Sequence, residues 1–336
     1  MGFPLTPEIK AQLAEQKKEC VFCKIVKKEV PSQIVFEDKV TLAILDIYPA
    51  VKGHTIFLLK DHYPLFPYVP DEELAHFFGV LPQLLKAVKS GMVTVSASIL
   101  IANGGVAGQQ APHVMIHLMP RDEGDGFFSF LLSRKKDNLT AEKIESIRRP
   151  LLQLVKGVGQ REKYVAYLEE ITKEGTILFE DEKVLLLLPR KAAVAGQLEL
   201  YSKVEEKFVE KLSSEDSLHF FSVASAAASA LFEGLKAQGT NIVVKSGKMD
   251  DHPSGLLCAY ILPRMANDSL QGLLWERKQP KYDLKGIEGK IKDKTWKVKY
   301  VPMKKEEKKV EEKKEMVVQK PKTQRDEIRE AMEKLR

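Results

Sequence analysis

Apolar positions recur along this chain with two periods, and their order predicts the elements. Thr6-Pro7-Glu8 pairs a helix N-cap with proline at the first helical position, opening a helix that runs to about Lys18. Short apolar runs at Gln33–Phe36, Val40–Leu45 and Thr55–Leu59 predict strands. Pro70-Asp71-Glu72-Glu73 then starts a helix whose Leu74, Phe77, Phe78, Leu81, Leu84, Leu85 and Val88 form one apolar stripe. Ser98–Ala102 and His113–Met119 predict two further strands. The same order returns in Thr176–Phe179, Val184–Leu188, Gln197–Tyr201, a helix over Ser214–Leu235, Asn241–Lys245 and Leu256–Leu262. The pattern is an α+β domain with a mainly antiparallel five-stranded sheet, occurring twice.

Short matches at one fixed spacing support that reading. Phe36-Glu37-Asp38 returns as Phe179-Glu180-Asp181. Ala50-Val51-Lys52-Gly53 returns as Ala193-Val194-Ala195-Gly196, and Pro120-Arg121 as Pro263-Arg264, at the offset that carries Phe36 to Phe179. Three separated matches point to duplication of a whole domain. Glu142–Val155 predicts a helix joining the halves, with no long Gly/Pro/Ser linker between them. The organisation read from this is an N-terminal helix (1–19), a first domain (20–140), a connecting helix (141–160), a second domain (161–301) and a Lys/Glu-rich tail (302–336).

Composition changes the picture only by exclusion. The chain has 336 residues, 44% hydrophobic, 30% charged and 8% aromatic, which is ordinary globular usage with length for one or two cores. No run of about eighteen apolar residues predicts a membrane span, and the charged N-terminus lacks a secretory apolar stretch. Three cysteines make no disulfide framework, so Cys20-Val21-Phe22-Cys23 reads as metal or redox chemistry in a cytoplasmic protein. The net charge of +6 permits an anionic ligand without requiring nucleic acid. In the tail, Lys304 to Glu315 alternates basic and acidic pairs and builds no core. A solvated, ion-paired segment is the favoured reading; an RNA-docking arm is the alternative, weakened because phosphate binding favours a clean basic face.

One segment carries more specific chemistry. In Gly108-Gln109-Gln110-Ala111-Pro112-His113-Val114-Met115-Ile116-His117-Leu118-Met119-Pro120-Arg121, two histidines flank a methionine at alternate positions. Alternate residues of a strand share a face. The segment resembles the signature of the histidine triad (HIT) nucleotide hydrolases and transferases. Phe36-Glu37-Asp38, Ala43-Ile44-Leu45-Asp46-Ile47, Lys52-Gly53-His54-Thr55, His62 and the Cys20/Cys23 pair resemble the zinc-containing branch of that family. The resemblance implies two HIT-like domains pairing as an intrachain pseudo-dimer, which covers sheet edges.

It also implies roles residue by residue. Cys20, Cys23, His62 and His113 match the ligands of a structural Zn²⁺, a closed four-ligand set. Asp46 matches the residue that binds ribose hydroxyls. Asn103, Gly108 and Gln109 match the loop around the α-phosphate, where glycines let backbone amides approach an anion. His54 and His117 match positions near the phosphates. Ile34, Phe36, Leu42 and Ile44 are candidates for the purine side, although core packing explains them equally well.

Met115 stands where the family's nucleophilic histidine belongs. A thioether has no titratable proton and attacks phosphorus weakly. His117 lies about 6.5 Å further along the strand, too far to substitute without a large loss of rate. At the repeat spacing the second half has Lys163, Ala166, Glu205, Leu256, Cys258, Tyr260 and Pro189 in place of the metal, nucleophile and ribose positions. Cys258 there reads as a core residue rather than a catalytic thiol. The expected function is a purine-nucleotide-binding protein with impaired catalysis. The alternative is a HIT-type hydrolase or nucleotidyl transferase acting on a phosphoramidate or dinucleoside polyphosphate.

Overall fold

Thr6 accepts a hydrogen bond from Ile9 N at 3.3 Å and caps the first helix, α1 (Pro7–Glu19), none of whose residues is buried. The computed structural model describes residues 6–122, 125, 127–128, 131, 136–155, 166–204, 206–247, 256–266, 268, 270 and 275–302. The tail reading and the end of the connecting segment (156–160) fall outside these residues. After α1 come α2 (Val21–Val26), β1 (Ile34–Glu37), β2 (Thr41–Leu45), β3 (Thr55–Leu59), α3 (Asp71–Met92), β4 (Ser96–Asn103), β5 (Met115–Arg121), the short β6 (Lys136–Asp137) and α4 (Ala141–Leu154). The second half contains α5 (Ala166–Lys173), β7 (Gly175–Glu180), β8 (Val184–Pro189), the short β9 (Lys191–Ala192), β10 (Leu198–Ser202), α6 (Ser214–Leu235), β11 (Gly239–Ser246), β12 (Cys258–Arg264) and α7 (Leu284–Lys292).

Ten strands form one antiparallel sheet in the order β1-β2-β3-β5-β4-β11-β12-β10-β8-β7. Its middle is the pairing of β4 with β11, in register from Thr240↔Asn103 to Ser246↔Ala97. β6 and β9 pair separately.

Strand alternation sorts the side chains onto two faces. Ile99, Ile101, Ile116, Leu118, Ile242 and Val244 face the helices α3, α4, α6 and α7 and share one continuous core with them. Leu100, Met119, Val243, Cys258 and Tyr260 face the other way. Helix α6 is the described helix long and apolar enough to cross a membrane by length and composition. Its apolar side is buried against α3, α4 and the sheet. Phe78 of α3 stacks on Phe221 of α6 at 5.2 Å between centroids, and Ser217 Oγ donates to Phe78 O at 2.7 Å. Helix α4 crosses α6 so closely that a Cβ on Gly234 would lie 2.4 Å from Ser146 O, so glycine is required there.

Several polar contacts recur at the repeat spacing. Asp38 meets His76 Nε2 at 2.7 Å, and Asp181 meets His219 Nε2 at 2.7 Å. Arg121 donates to Ser98 Oγ and Arg264 to Asn241 Oδ1, both at 2.7 Å, and each arginine also binds an aspartate four residues on. Helices α3 and α6 both end in left-handed residues, Val93 and Lys236.

One expected element boundary is wrong in a way that matters. Alternation predicts that His113 begins the last strand of the first half, but β5 starts at Met115. His113 N bonds to Ala111 O at 2.7 Å and Val114 N to Tyr63 O at 2.6 Å, so the chain turns there instead of pairing in the sheet.

Because α3 and α6 share one core, the two halves should unfold together. Phe221→Ala removes a fully buried ring and should cost about 3–5 kcal/mol. In urea unfolding followed by circular dichroism, the outcome is one transition at a lower midpoint. A second transition retaining half the signal would contradict a shared core.

Candidate functional site

Cys20 sits at the N-cap of α2 and Cys23 one turn inside it, so both sulfurs point the same way. Cys20 Sγ lies 3.5 Å from His113 Nδ1, and Cys23 Sγ lies 3.3 Å from His62 Nδ1 and 3.7 Å from His113 Nδ1. All four donors are buried and within 4.8 Å of one another. A tetrahedral ion with Zn-like bond lengths would require S···N edges of about 3.6 Å, so the cradle has the right size. His113 Nε2 donates to Leu59 O at 2.7 Å, which leaves the Nδ1 lone pair facing the sulfurs. His62 Nε2 is buried without a partner among the described residues. Burial pushes the Cys23 thiol up, with Cys20 adding to the effect, and pushes His113 down to about 4. Neutral imidazoles are already in the form that binds a metal. A bound cation would reverse the thiol's direction.

The second cluster lies on the sheet face opposite the helices. Asp46 follows β2, His54 precedes β3 and His117 is on β5; their ligand atoms also lie within 4.8 Å of one another. Ala50 N–H donates to His54 Nδ1 at 3.1 Å, so His54 carries its proton on Nε2. That nitrogen lies 3.0 Å from His117 Nδ1 and donates to it, which places the second imidazole's proton on its own Nε2. The result is an oriented chain from backbone amide to His54 to His117. Burial holds both rings neutral and pushes His54 down to about 3. Asp46 closes the turn by accepting from Tyr48 N at 2.8 Å, with its second oxygen 3.7 Å from His54 Nδ1.

Met115 is next to this chain but belongs to an apolar cluster. It packs with Cys20, Phe22, Cys23, Ile25, Leu42, Ile44, Ile56 and Leu58. Of the purine-side candidates, Leu42 and Ile44 are in that cluster and Ile34 packs against it. Phe36 is in the core on the other face.

The loop residues are placed differently from expectation. Gly104 and Gly108 have φ of 91° and 90°, a backbone that glycine adopts without strain. Ala107 N, Gly108 N and Gln109 N, however, already donate to carbonyls within the loop. Gly104 N donates to Gln109 Oε1 at 2.7 Å, and Gln109 Nε2 donates to Pro64 O at 2.8 Å. Gln109 therefore ties the loop shut. Asn103 shares strand parity with Ile99 and Ile101, donates to Thr240 Oγ1 at 3.1 Å, and lines a cavity on the helix side with Phe66 and Phe232. It does not join Asp46, His54 and His117.

No sequence signal points to Trp275. Its ring stands edge-on to His54 at 4.8 Å and to His117 at 5.4 Å, and its Nε1 donates to Tyr48 O at 2.7 Å. Trp275 thus helps bury His54 and His117, and Asp46, His54, Met115 and His117 are only 6%, 1%, 5% and 3% exposed. Trp275 and His117 stand in different halves of the chain, a separation across which no local pattern carries a signal.

The HIT domain family model matches residues 27–124, the segment that contains Asp46, His54 and His117 together with His62 and His113; Cys20 and Cys23 precede it. A HIT-like protein from Methanocaldococcus jannaschii is 43% identical over 107 residues, covering 32% of this chain and 82% of its own length. The chain belongs to the HIT family. It is also similar to an adenosine 5'-monophosphoramidase from Saccharomyces cerevisiae, 34% identical over 41% of this chain and 84% of the relative. Among solved structures, a zinc-bound histidine triad family protein from Mycobacterium smegmatis is 33% identical over 32% of this chain and 79% of its own, with a TM-score of 0.31.

The buried imidazoles set a pH dependence. In the unfolded chain His54 takes a proton below about 6.5, and in the folded protein burial delays this to about 3. The unfolded state therefore binds more protons between these values, and stability falls as pH drops below about 6.5. The contribution is roughly 1 kcal/mol per pH unit per such histidine. Urea midpoints between pH 6 and 5 should fall less in His54→Gln than in the native protein. Equal slopes would show that His54 is not held neutral.

Proposed function

We propose that this is a zinc-stapled, nucleotide-binding HIT protein whose own nucleotidyl-transfer chemistry is switched off at Met115. One observation carries the reading: the amide–His54–His117 chain is intact while the neighbouring position on the same strand face holds a thioether packed in an apolar cluster. A phosphoryl group reaching this face would find an oriented imidazole N–H at His117 to hydrogen-bond an oxygen. It would find no nitrogen lone pair at residue 115 to form a covalent intermediate. Asp46 is the ribose-binding residue on this reading, and Gly108 and Gln109 belong to the closed loop that precedes β5. The relatives' phosphoramidase activity supports a nucleotide conjugate as the ligand class.

Cys20, Cys23, His62 and His113 would hold the zinc. The ion would supply only folding energy, because four protein ligands leave no open position for water. The second half is, on this reading, a duplicated and degenerate HIT-like domain that completes the sheet. The contacts repeated in both halves support it. The tandem arrangement would be an intrachain pseudo-dimer, and a cytoplasmic location suits the unpaired cysteines.

A second reading has its own observation. His54 and His117 lie against Trp275 and are buried together with Asp46, which suits a family scaffold retained for structure or interaction, without a ligand. Calorimetry with adenosine monophosphate separates the two: binding weakened by Asp46→Ala supports the first, and no heat supports the second.

Elemental analysis of protein prepared without chelator should give one zinc per chain. Cys20→Ser combined with Cys23→Ser should abolish it and lower the melting temperature. Metal content unchanged in that variant would remove the zinc assignment.

Met115→His should raise hydrolysis of an adenosine phosphoramidate measurably above the native rate, because it supplies the missing nucleophile beside His117. A native protein that already turns over at rates ordinary for enzymes, about 1–1000 per second, would make Met115 non-disabling and establish the hydrolase alternative.

A further inference from the structure

Residues 277–301 contain nine lysines and arginines against three acidic residues, a net charge of +6 equal to that of the whole chain. Two of the three acids are already engaged: Asp283 caps α7 and Glu288 pairs with Lys292 at 3.6 Å. The segment is firmly seated. Ile287 and Ile291 of α7 are buried, and Thr295 Oγ1 donates to Val35 O at 3.0 Å.

Between the anchored Thr295 and Val298, which are 8% and 9% exposed, Trp296 stands 77% exposed. Lys297 Nζ lies 4.5 Å from its ring centroid. Beside the ring opens a cleft of about 330 Å³ shared with one face of α3, lined by Gln83, Lys86, Ser90, Lys294, Trp296 and Lys297 among others. Among the described residues, Lys86, Lys294 and Lys297 form no ion pair with an acidic side chain. An indole held in water by flanking buried residues, with unneutralised ammonium groups around it, offers a flat stacking surface and phosphate contacts together.

We propose that this cleft binds single-stranded nucleic acid, with an unpaired base stacked on Trp296 and the adjoining phosphates held by Lys86, Lys294 and Lys297. A base and its phosphate demand this combination: a π-face for any base and a positive rim for the backbone. The volume is within the range of small-ligand sites, so the cleft takes about one nucleotide of a strand. A duplex hides its base faces and cannot stack on Trp296. A membrane surface fits less well, because interfacial binding needs a broad apolar face, and the apolar side chains of α7 are turned into the protein. The inference stands apart from the Met115 site and does not depend on the proposed nucleotide function there.

The test is fluorescence anisotropy of a labelled oligouridylate of about fifteen nucleotides with the full chain, a length near the upper single-strand site size. The expected result is binding that weakens steeply between about 50 and 200 mM salt. Trp296→Ala should weaken it about 5- to 100-fold, the scale of one base–aromatic stack, while Trp296→Phe retains most of the affinity. Replacing Lys86, Lys294 and Lys297 together by alanine should flatten the log–log salt slope by about 2, at roughly 0.7 per phosphate contact. The charged tail is present in every variant, so its background cancels. All four positions are at the surface, and unchanged melting temperatures would confirm intact folding. The proposal is overturned if the oligonucleotide does not bind, or if Trp296→Ala and the triple lysine variant both bind like the native protein. Trp296-dependent sedimentation with phosphatidylserine vesicles, without Trp296-dependent oligonucleotide binding, would also overturn it and assign the patch to membranes.

Discussion

Seven residue pairs between β4 and β11 hold the two halves in one sheet, and the geometry on both faces follows from that seam. On the helix side it brings α3 against α6, so that Phe78 meets Phe221 and Ser217 reaches a carbonyl of the other helix. On the opposite side it lets residues of each half contribute to one apolar layer, where Leu100 and Met119 pack with Val243 and Cys258. The seam also closes what would otherwise be two exposed edges, each a template for unwanted pairing. Trp275 can cover His54 and His117 only because this register fixes where the second half lies.

The histidine pair shows how burial and chemistry trade against each other. Two imidazoles without water are tolerable when each finds a partner, and the amide–His54–His117 chain provides that in one direction. Its orientation is set at the first link, where Ala50 N–H occupies His54 Nδ1. The same burial keeps both rings uncharged at neutral pH. A cationic imidazole here would need a buried counter-charge, and Asp46 is only partly available because one of its oxygens closes its own turn. Met115 fits this environment better than a third imidazole would, since a thioether fills irregular apolar space without needing a hydrogen bond.

Period and punctuation made the elements legible. The apolar stripe from Leu74 to Val88 marks α3, and the apolar runs mark the strands of the main sheet closely. At His113 alternation alone continues a strand; the turn is set by Val114 bonding to Tyr63, a contact between distant segments. The metal-type donors were legible as residue types at motif positions. The state of the glycine loop was not, because its amides are satisfied by Gln109 and by carbonyls within the loop, which only the folded backbone determines. Asn103 escapes sequence reasoning for the same reason, since its partner Thr240 is in the other half.

Positions related by the offset that carries Phe36 to Phe179 differ next to the two long helices. Next to α3, Lys89 forms a buried ion pair with Glu210, Ser246 donates to the same carboxylate at 3.0 Å, and Phe208 lies under the ammonium at 4.8 Å. The matching positions next to α6 are Phe232, Pro67, Asn103 and Leu65, and they line a cavity of about 160 Å³. Deleting one partner of a buried pair strands the other charge at a cost of several kcal/mol, whereas replacing both with apolar groups is often neutral. The second site avoids that cost, because Phe232 and Pro67 carry neither charge. The cavity faces Ala228, Ser225 and Ser229 of α6, which are smaller than Leu85, Pro82 and Lys86 at the corresponding offset in α3. Two helices of equal length in one core thus settle equivalent surroundings differently, one with a buried ion pair and the other with small side chains beside a cavity.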